Sequence, residues 1–229
     1  MYKKGDFHIH STASDGALKP EEIVLFAKKR DLDIIALTDH NTVNGVEVAV
    51  AYGELHDVKV IPALELSTRY NYHRVHVLGY FNYNIYSNEL FVDILSKIKK
   101  GNTVYVKNLL KNSLSLNRNS KKISVEEGIS LLKFFGAIVI LAHPVLLQRD
   151  VFNEIIDKGF DGIEAKYFSN TEEDTEYFIN ITKEKNMIYT AGSDYHLGYD
   201  YYRAHGCIGD VYLEEREIER FLAKLYNNR

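Results

Sequence analysis

At 229 residues, with 45% hydrophobic and 26% charged side chains, the chain has enough apolar material for one large α/β domain. A formal net charge of −4 excludes a protein that grips nucleic acid by bulk charge. The single cysteine, Cys207, excludes an internal disulfide framework and fits a reducing compartment.

No stretch approaches the ~18 apolar residues of a membrane span, and the start lacks the apolar core of a signal peptide. A cytoplasmic enzyme with no membrane partner is the expectation. Gly5-Asp6-Phe7-His8-Ile9-His10-Ser11 reads as a strand with His8 and His10 on one face and Phe7 and Ile9 on the other. Asp15 follows in the loop. Pro20-Glu21-Glu22 opens a helix that Lys28-Lys29-Arg30 closes, as proline at the first position and the helix dipole both favour. A buried strand over 33–38 ends in Asp39-His40. A helix from about Val43 to Leu55 precedes a strand over 58–64 that ends at Glu65. A hairpin follows, turning at Arg69-Tyr70-Asn71-Tyr72 and returning through Arg74 to Gly79 with His76 on the way.

From about 87 to 117 the pattern turns helical and polar. Lys97, Lys99, Lys100, Lys107 and Lys111 mark it as a helical insertion over one end of the domain. The βα rhythm then resumes. Ser124 and Glu127 make a capping box for a helix to about Phe135, and a strand over 136–142 ends in His143-Pro144. A helix over 151–158 is capped by Gly159, and a strand over 161–165 carries Glu164. A helix over 171–185 opens with three acids, and a strand over 188–191 runs into Asp194 and His196. A last strand near Cys207-Ile208 and a helix from Glu214 to about Tyr226 complete one domain over 1–229.

The candidate ligands, His8, His10, Asp15, His40, Glu65, His76, His143, Asp194 and His196, fall at or just after strand C-termini. In a parallel α/β barrel those ends meet on one rim. Six of the nine histidines would then share a cleft, where buried imidazoles need partners and protonated ones repel. Divalent metals meet both demands. Asp6 and Asp39 are expected to support or orient neighbouring groups, Asp39 through His40 or as a cap of the next helix. Glu164 reads as a rim residue. His56, His73 and His205 read as ordinary surface histidines, and Cys207 as a core residue.

Asp6-Phe7-His8-Ile9-His10-Ser11 with Ser14-Asp15-Gly16, Leu37-Thr38-Asp39-His40, Glu65-Leu66-Ser67, His76-Val77-Leu78-Gly79, Leu141-Ala142-His143-Pro144 and Gly192-Ser193-Asp194-Tyr195-His196 resemble the PHP (polymerase and histidinol phosphatase) superfamily. The likeness is nearest to its small stand-alone phosphoesterases, some of which act on nucleoside 3′,5′-bisphosphates or trim RNA from the 5′ end. It implies a distorted seven-stranded (β/α)7 barrel with three divalent metal ions (Mn²⁺, Fe²⁺ or Zn²⁺). His8, His10, Glu65 and Asp194 would hold the first ion. Glu65, His76 and His143 would hold the second, and Asp15, His40 and His196 the third. Ligands of this kind suit those metals, and a water shared between ions would be acidified for attack on phosphorus.

The expected activity is phosphate-ester hydrolysis on a nucleotide or short oligonucleotide, without stable binding of duplex nucleic acid. A small metabolite monoester such as histidinol phosphate is the alternative substrate, and a metal-stabilised interaction module the alternative role. The candidates for contact with substrate phosphate are Arg149, Arg203 and Arg69. The insertion offers lysines, which attract phosphate without arginine's bidentate fork.

Overall fold

The computed structural model describes residues 2–117, 120–197 and 205–228. Arg203 lies outside them. In chain order the described elements are β1 (Lys4–Ile9), α1 (Pro20–Lys29), β2 (Ile34–Leu37), α2 (Val46–Leu55), β3 (Lys59–Tyr70), β4 (His73–Tyr80), α3 (Glu89–Lys99), α4 (Thr103–Leu109), α5 (Val125–Phe134), β5 (Ile138–Leu141), α6 (Arg149–Ile155), β6 (Gly162–Tyr167), α7 (Glu172–Glu184), β7 (Ile188–Gly192), β8 (Leu213–Glu214) and α8 (Glu215–Asn227).

The strands form one mixed sheet in the order β7-β6-β5-β4-β3-β2-β1-β8. Seven of them curl into a nearly closed barrel. The seam between β1 and β7 is stitched by the Asp194 amide donating to the His8 carbonyl and the His10 amide donating to the Tyr195 carbonyl, both at 2.9 Å. The eighth strand is two residues long and pairs antiparallel with the outer edge of β1. The expected strand at Cys207-Ile208 does not form. There the Asp210 amide closes a turn onto the Cys207 carbonyl, and the Gly209 amide is captured by the buried Asp6 carboxylate. A side chain therefore takes the donor a strand would have used.

Alternation along the strands separates two cores. Ile34 and Ala36 of β2 pack with Phe7, Ile61, Ala63, Leu78, Tyr80, Ile138 and Ile140, and Ile218, Phe221 and Leu225 of α8 plug this concave side. Ile35 and Leu37 join the layer beneath the other helices. Strand β1 breaks the pattern. Its pairing with β2 shifts register between Asp6 and Ile9, so Phe7 enters the concave core while Ile9 joins the outer one. Phe7 and Ile9 therefore do not share a face as simple alternation requires. A bulge of this kind re-aims side chains, and here both His8 and His10 turn toward one point.

Helix boundaries follow local chemistry. Pro20 starts α1, and the Ser124–Glu127 and Thr171–Asp174 boxes start α5 and α7. Helix α2 begins at Val46, three residues later than the hydrophobic pattern suggests, after a turn in which the Val46 amide reaches the Val43 carbonyl. Helix α6 starts at Arg149 and ends at Ile155, short of Gly159, whose φ of 102° lies in the left-handed region. Helices α3 and α4 follow β4, and Phe91, Ile94 and Leu95 of α3 are buried in the outer core.

Candidate metal centre

The rim gathers its polar groups from both strand directions. His8 lies within β1, and Glu65 is the seventh of twelve residues in β3. His76 sits in the first half of β4, which runs antiparallel to β3. His8 is next to last in β1, at the strand's C-terminal end as expected, whereas the expectation fails for Glu65 and His76. The reason is the long β3–β4 hairpin, which crosses the rim and projects beyond it.

Glu65 is the hub. Its Oε1 lies 2.9 Å from His76 Nδ1, 3.1 Å from His143 Nε2 and 3.5 Å from His8 Nε2. Its Oε2 lies 2.9 Å from His40 Nδ1 and 3.4 Å from His10 Nε2. The Asp194 Oδ1 sits 3.1 Å from His10 Nε2 and 3.2 Å from His8 Nε2. Toward solvent, Asp15 faces His196 Nε2 at 3.5 Å, His40 Nε2 at 3.7 Å and His10 Nδ1 at 3.8 Å. All nine residues thus meet in one place. Sets of their ligand atoms close enough to share an ion are His8/His10/Glu65/Asp194, His40/Glu65/His76 and His10/Asp15/His40/His196.

The donor chemistry fits cations. The ring nitrogens His10 Nδ1, His40 Nδ1, His76 Nδ1 and Nε2 and His143 Nδ1, with Asp194 Oδ1, are buried and make no well-directed hydrogen bond, although oppositely charged groups lie as close as 2.9 Å to some of them. Leaving so many polar atoms unsatisfied is costly unless something positive lies between them. The backbone is strained at the same place, with φ of 27° at His143 and 51° at Asp194. Such left-handed residues cost about 1–3 kcal/mol each and cluster at functional sites.

The electrostatics point the same way. Burial pushes the Glu65 carboxyl up, but the surrounding imidazoles outweigh it and hold Glu65 well below the usual range. Asp194 is likewise held low against its burial by His8, His10 and His205. Burial pulls the His10 imidazole down to about 4, leaving a neutral ring that can donate a lone pair. Burial also opposes charge on His8, yet Glu164, Asp194 and Glu65 raise it well above its ordinary value. A cation entering here would displace that proton.

A second layer aims these groups. Glu164, fully buried, accepts from His8 Nδ1 at 2.9 Å and from the His143 amide at 2.7 Å. It thereby turns His8 Nε2 inward, a common device behind ligating imidazoles. Asp6 accepts from the amides of His8, Ser193 and Gly209, while burial lifts its carboxyl to about 6. Asp39 does not orient His40. Its carboxylate takes the Ser11 amide at 2.8 Å and the Ser11 and Ser14 hydroxyls at 2.7 and 2.6 Å, which fixes the loop carrying Asp15.

Two contributors escape a reading of the sequence. His205, taken as a plain loop residue, approaches Asp194 Oδ2 with Nδ1 at 3.2 Å and belongs to a possible ligand set with Asp194 and His196. Tyr167 donates to the same Oδ2 at 2.9 Å, and burial together with Asp194 pushes its hydroxyl up so that it stays a donor. With Oδ2 engaged, Asp194 presents Oδ1 alone to the cluster. Tyr167 ends β6 two residues past the expected strand, and nothing in the spacing of His205 marks it. Tyr167→Phe is expected to weaken metal affinity by 10–100-fold, the usual range for such supporting groups. Competition with a chelating dye checks this, and an unchanged affinity counts against the role.

A cleft of about 370 Å³ opens beside the cluster, lined by Asp15, His40, His76, Arg69, Arg74 and Lys99 among others. Arg69 is thus at the cleft. Arg149 is exposed, with its guanidinium 3.9 Å above the Tyr177 ring of α7.

A PHP domain profile matches residues 6–217. The chain belongs to the PHP domain family. It is 24% identical to the phosphoribosyl 1,2-cyclic phosphate 1,2-diphosphodiesterase of Eggerthella lenta, over 83% of this chain and 93% of that protein. Its similarity to the 5′-3′ exoribonuclease of Haemophilus influenzae is 38% over 79 residues, 34% of this chain and 29% of that protein. For the 3′,5′-nucleoside bisphosphate phosphatase of Chromobacterium violaceum it is 36% over 74 residues, 32% and 26% of the two chains. The last two matches therefore span under a third of those relatives. Among solved structures, a Bifidobacterium adolescentis protein described as a metal-dependent phosphoesterase superposes with a TM-score of 0.75 at 19% identity, covering 96% of each chain. That likeness shows the shared barrel. The named relatives are all hydrolases of phosphate esters, and no helix among the described residues is long and apolar enough to cross a membrane.

Proposed function

We propose that this PHP chain is a metal-dependent phosphoesterase acting on a nucleotide or short oligonucleotide, with the whole chain one domain and the helices of 87–117 an insertion. The observation that carries the reading is the convergence of ring nitrogens and carboxylate oxygens around Glu65. His8, His10, Glu65 and Asp194 would hold one ion. Glu65 would be shared with a second, completed by His76 and His143, and Asp15, His40 and His196 would hold a third. Mn²⁺, Fe²⁺ and Zn²⁺ suit such a set. Bound divalent ions supply Lewis acidity and a water-derived nucleophile at neutral pH.

The chain's own residues do the rest. Glu164 fixes the tautomer of His8 by accepting from Nδ1, and Tyr167 and His205 hold the orientation of Asp194. Asp15 is half exposed and His40 partly so, which makes their side of the cluster the side open to an ester. The buried strands behind it keep bulk water from the far side.

The test is a panel of an aryl phosphate, a bisphosphate nucleotide and a 5′-labelled oligonucleotide, each assayed with Mn²⁺, Fe²⁺ and Zn²⁺. Hydrolysis of at least one ester well above background is expected, and none with any metal contradicts the reading. Chelation should also destabilise the fold. An ion present at about 100 times its dissociation constant contributes ~2.7 kcal/mol. At ~2–4 °C per kcal/mol for this chain length, EDTA should lower Tm by roughly 5–10 °C. Added Mn²⁺ should restore it, and a melting curve indifferent to both contradicts metal binding.

A further inference from the structure

The hairpin that carries Glu65 and His76 continues outward as a row of cations. On β3, Glu65, Ser67 and Arg69 share a face because they are two residues apart, and on β4 His76 and Arg74 do the same. The register sets Ser67 opposite His76 and Arg69 opposite Arg74. The two arginines therefore face each other one step beyond His76, about 7 Å along the strands. Like charges directly opposite on a sheet are destabilising. An anion between them removes that cost.

The neighbouring chain strengthens the field. The Arg69 amide donates to the Ile123 carbonyl at 2.9 Å, which pins the 120–124 segment against the hairpin and brings Lys121 and Lys122 to the same cleft. Lys99 of α3 lines it too, its Nζ donating to the Ala13 carbonyl at 3.2 Å. Among the described residues none of these five cations is paired with a carboxylate, whereas Lys107, Lys158, Lys166 and Lys185 all are. Five unpaired cations in one cleft, on a chain of net charge −4, form a local concentration of charge that composition alone does not show. The cleft does not stop at Arg69. A second cavity of about 350 Å³ shares Arg69 and Lys122 with it and continues past Asn71 and Tyr72. Tyr72, at the hairpin tip, is 96% exposed. An aromatic ring so exposed at the end of a cationic groove is a stacking platform for a base.

We propose that Arg69 and Arg74, flanked by Lys121 and Lys122, form a second phosphate subsite on the β3–β4 hairpin, with Tyr72 as the stacking surface beyond it. The substrate is then a single-stranded oligonucleotide that lays one phosphate at the cluster and the next between the arginines. A monoester of a small metabolite would leave the outer groove empty. This deepens the phosphoesterase reading and rests on it.

The experiment compares kcat/KM for a 5′-phosphorylated tetranucleotide with that for p-nitrophenyl phosphate in the metal-loaded wild type, Arg74→Ala and Tyr72→Ala. Both substituted residues are exposed, and a melting curve confirms that each variant folds. The ratio of tetranucleotide to aryl phosphate should fall at least tenfold in Arg74→Ala and at least fivefold in Tyr72→Ala. The salt dependence of tetranucleotide KM should flatten in Arg74→Ala, since one lost phosphate contact removes about 0.7 from the logarithmic slope. Unchanged ratios in both variants overturn the subsite while leaving the phosphoesterase reading intact. If the wild type hydrolyses neither ester, that reading fails. Fluorescence anisotropy of the labelled tetranucleotide then decides the subsite alone: tenfold weaker binding in Arg74→Ala supports it, and equal binding overturns it.

Discussion

Replacing His10 by alanine is expected to lower turnover of a phosphate ester by the metal-loaded protein by at least two orders of magnitude. His10 belongs to two of the possible ligand sets at once, with Nε2 turned to Asp194 and Glu65 and Nδ1 to Asp15. Removing it opens a gap between the buried and the exposed halves of the cluster. It also leaves the Asp194 and Glu65 carboxylates facing each other with one fewer donor. Each tenfold of rate corresponds to about 1.4 kcal/mol of barrier, so a hundredfold loss asks for under 3 kcal/mol, well within what one metal ligand supplies. Steady-state rates and metal content measured on the same preparation check it. A variant that keeps full metal and full activity contradicts the account. A variant that only melts earlier, in a protein whose wild type turns over no ester, points to the interaction-module role.

The second large effect lies in helix α4. Lys107 of α4 is fully buried, and its ammonium donates to the Asn117 and Lys122 carbonyls at 3.0 and 2.7 Å and to Glu127 Oε2 at 2.7 Å. Glu127 in turn accepts from the amides of Asn117 and Ser124 at 2.6 and 2.8 Å. This buried pair ties α4 to the start of α5 and to the segment that brings Lys121 and Lys122 to the cleft. Breaking such a pair leaves an uncompensated charge, so Lys107→Ala should cost about 3–5 kcal/mol. Replacing both partners, Lys107→Met with Glu127→Leu, should cost clearly less than the sum of the two single changes. Urea unfolding checks both. A loss under 1 kcal/mol for Lys107→Ala contradicts this role.

Much of this was legible in the chain itself, because local signals and ligand chemistry are written in short stretches. Pro20, the Ser124–Glu127 box and Thr171 set helix starts without help from distant residues. The nine candidate ligands do meet, because most stand in or just after strands whose type their own neighbourhood determines. What the sequence hid depends on pairing. The bulge in β1 that sends Phe7 and Ile9 to different cores arises from the register with β2. Glu65 and His76 sit mid-strand because the hairpin runs past the rim, a length set by eight cross-strand pairs from Ala63–Tyr80 to Tyr70–His73. His205 reaches Asp194 from eleven residues away in the chain, and Asp39 serves the Ser11 loop rather than its neighbour His40. The charge of the groove was hidden for the same reason, since Arg69, Arg74, Lys99 and Lys122 come together only in the folded chain.

The central claim is that the cluster around Glu65 holds the metal ions on which phosphate-ester hydrolysis depends. Anomalous diffraction from crystals grown with Mn²⁺ and soaked in inorganic phosphate tests it most directly. The account predicts manganese peaks between His8, His10, Glu65 and Asp194, between Glu65, His76 and His143, and between Asp15, His40 and His196, with phosphate bound against them on the Asp15 side. Manganese absent from the cluster, or phosphate bound elsewhere while the cluster holds its ions, contradicts it.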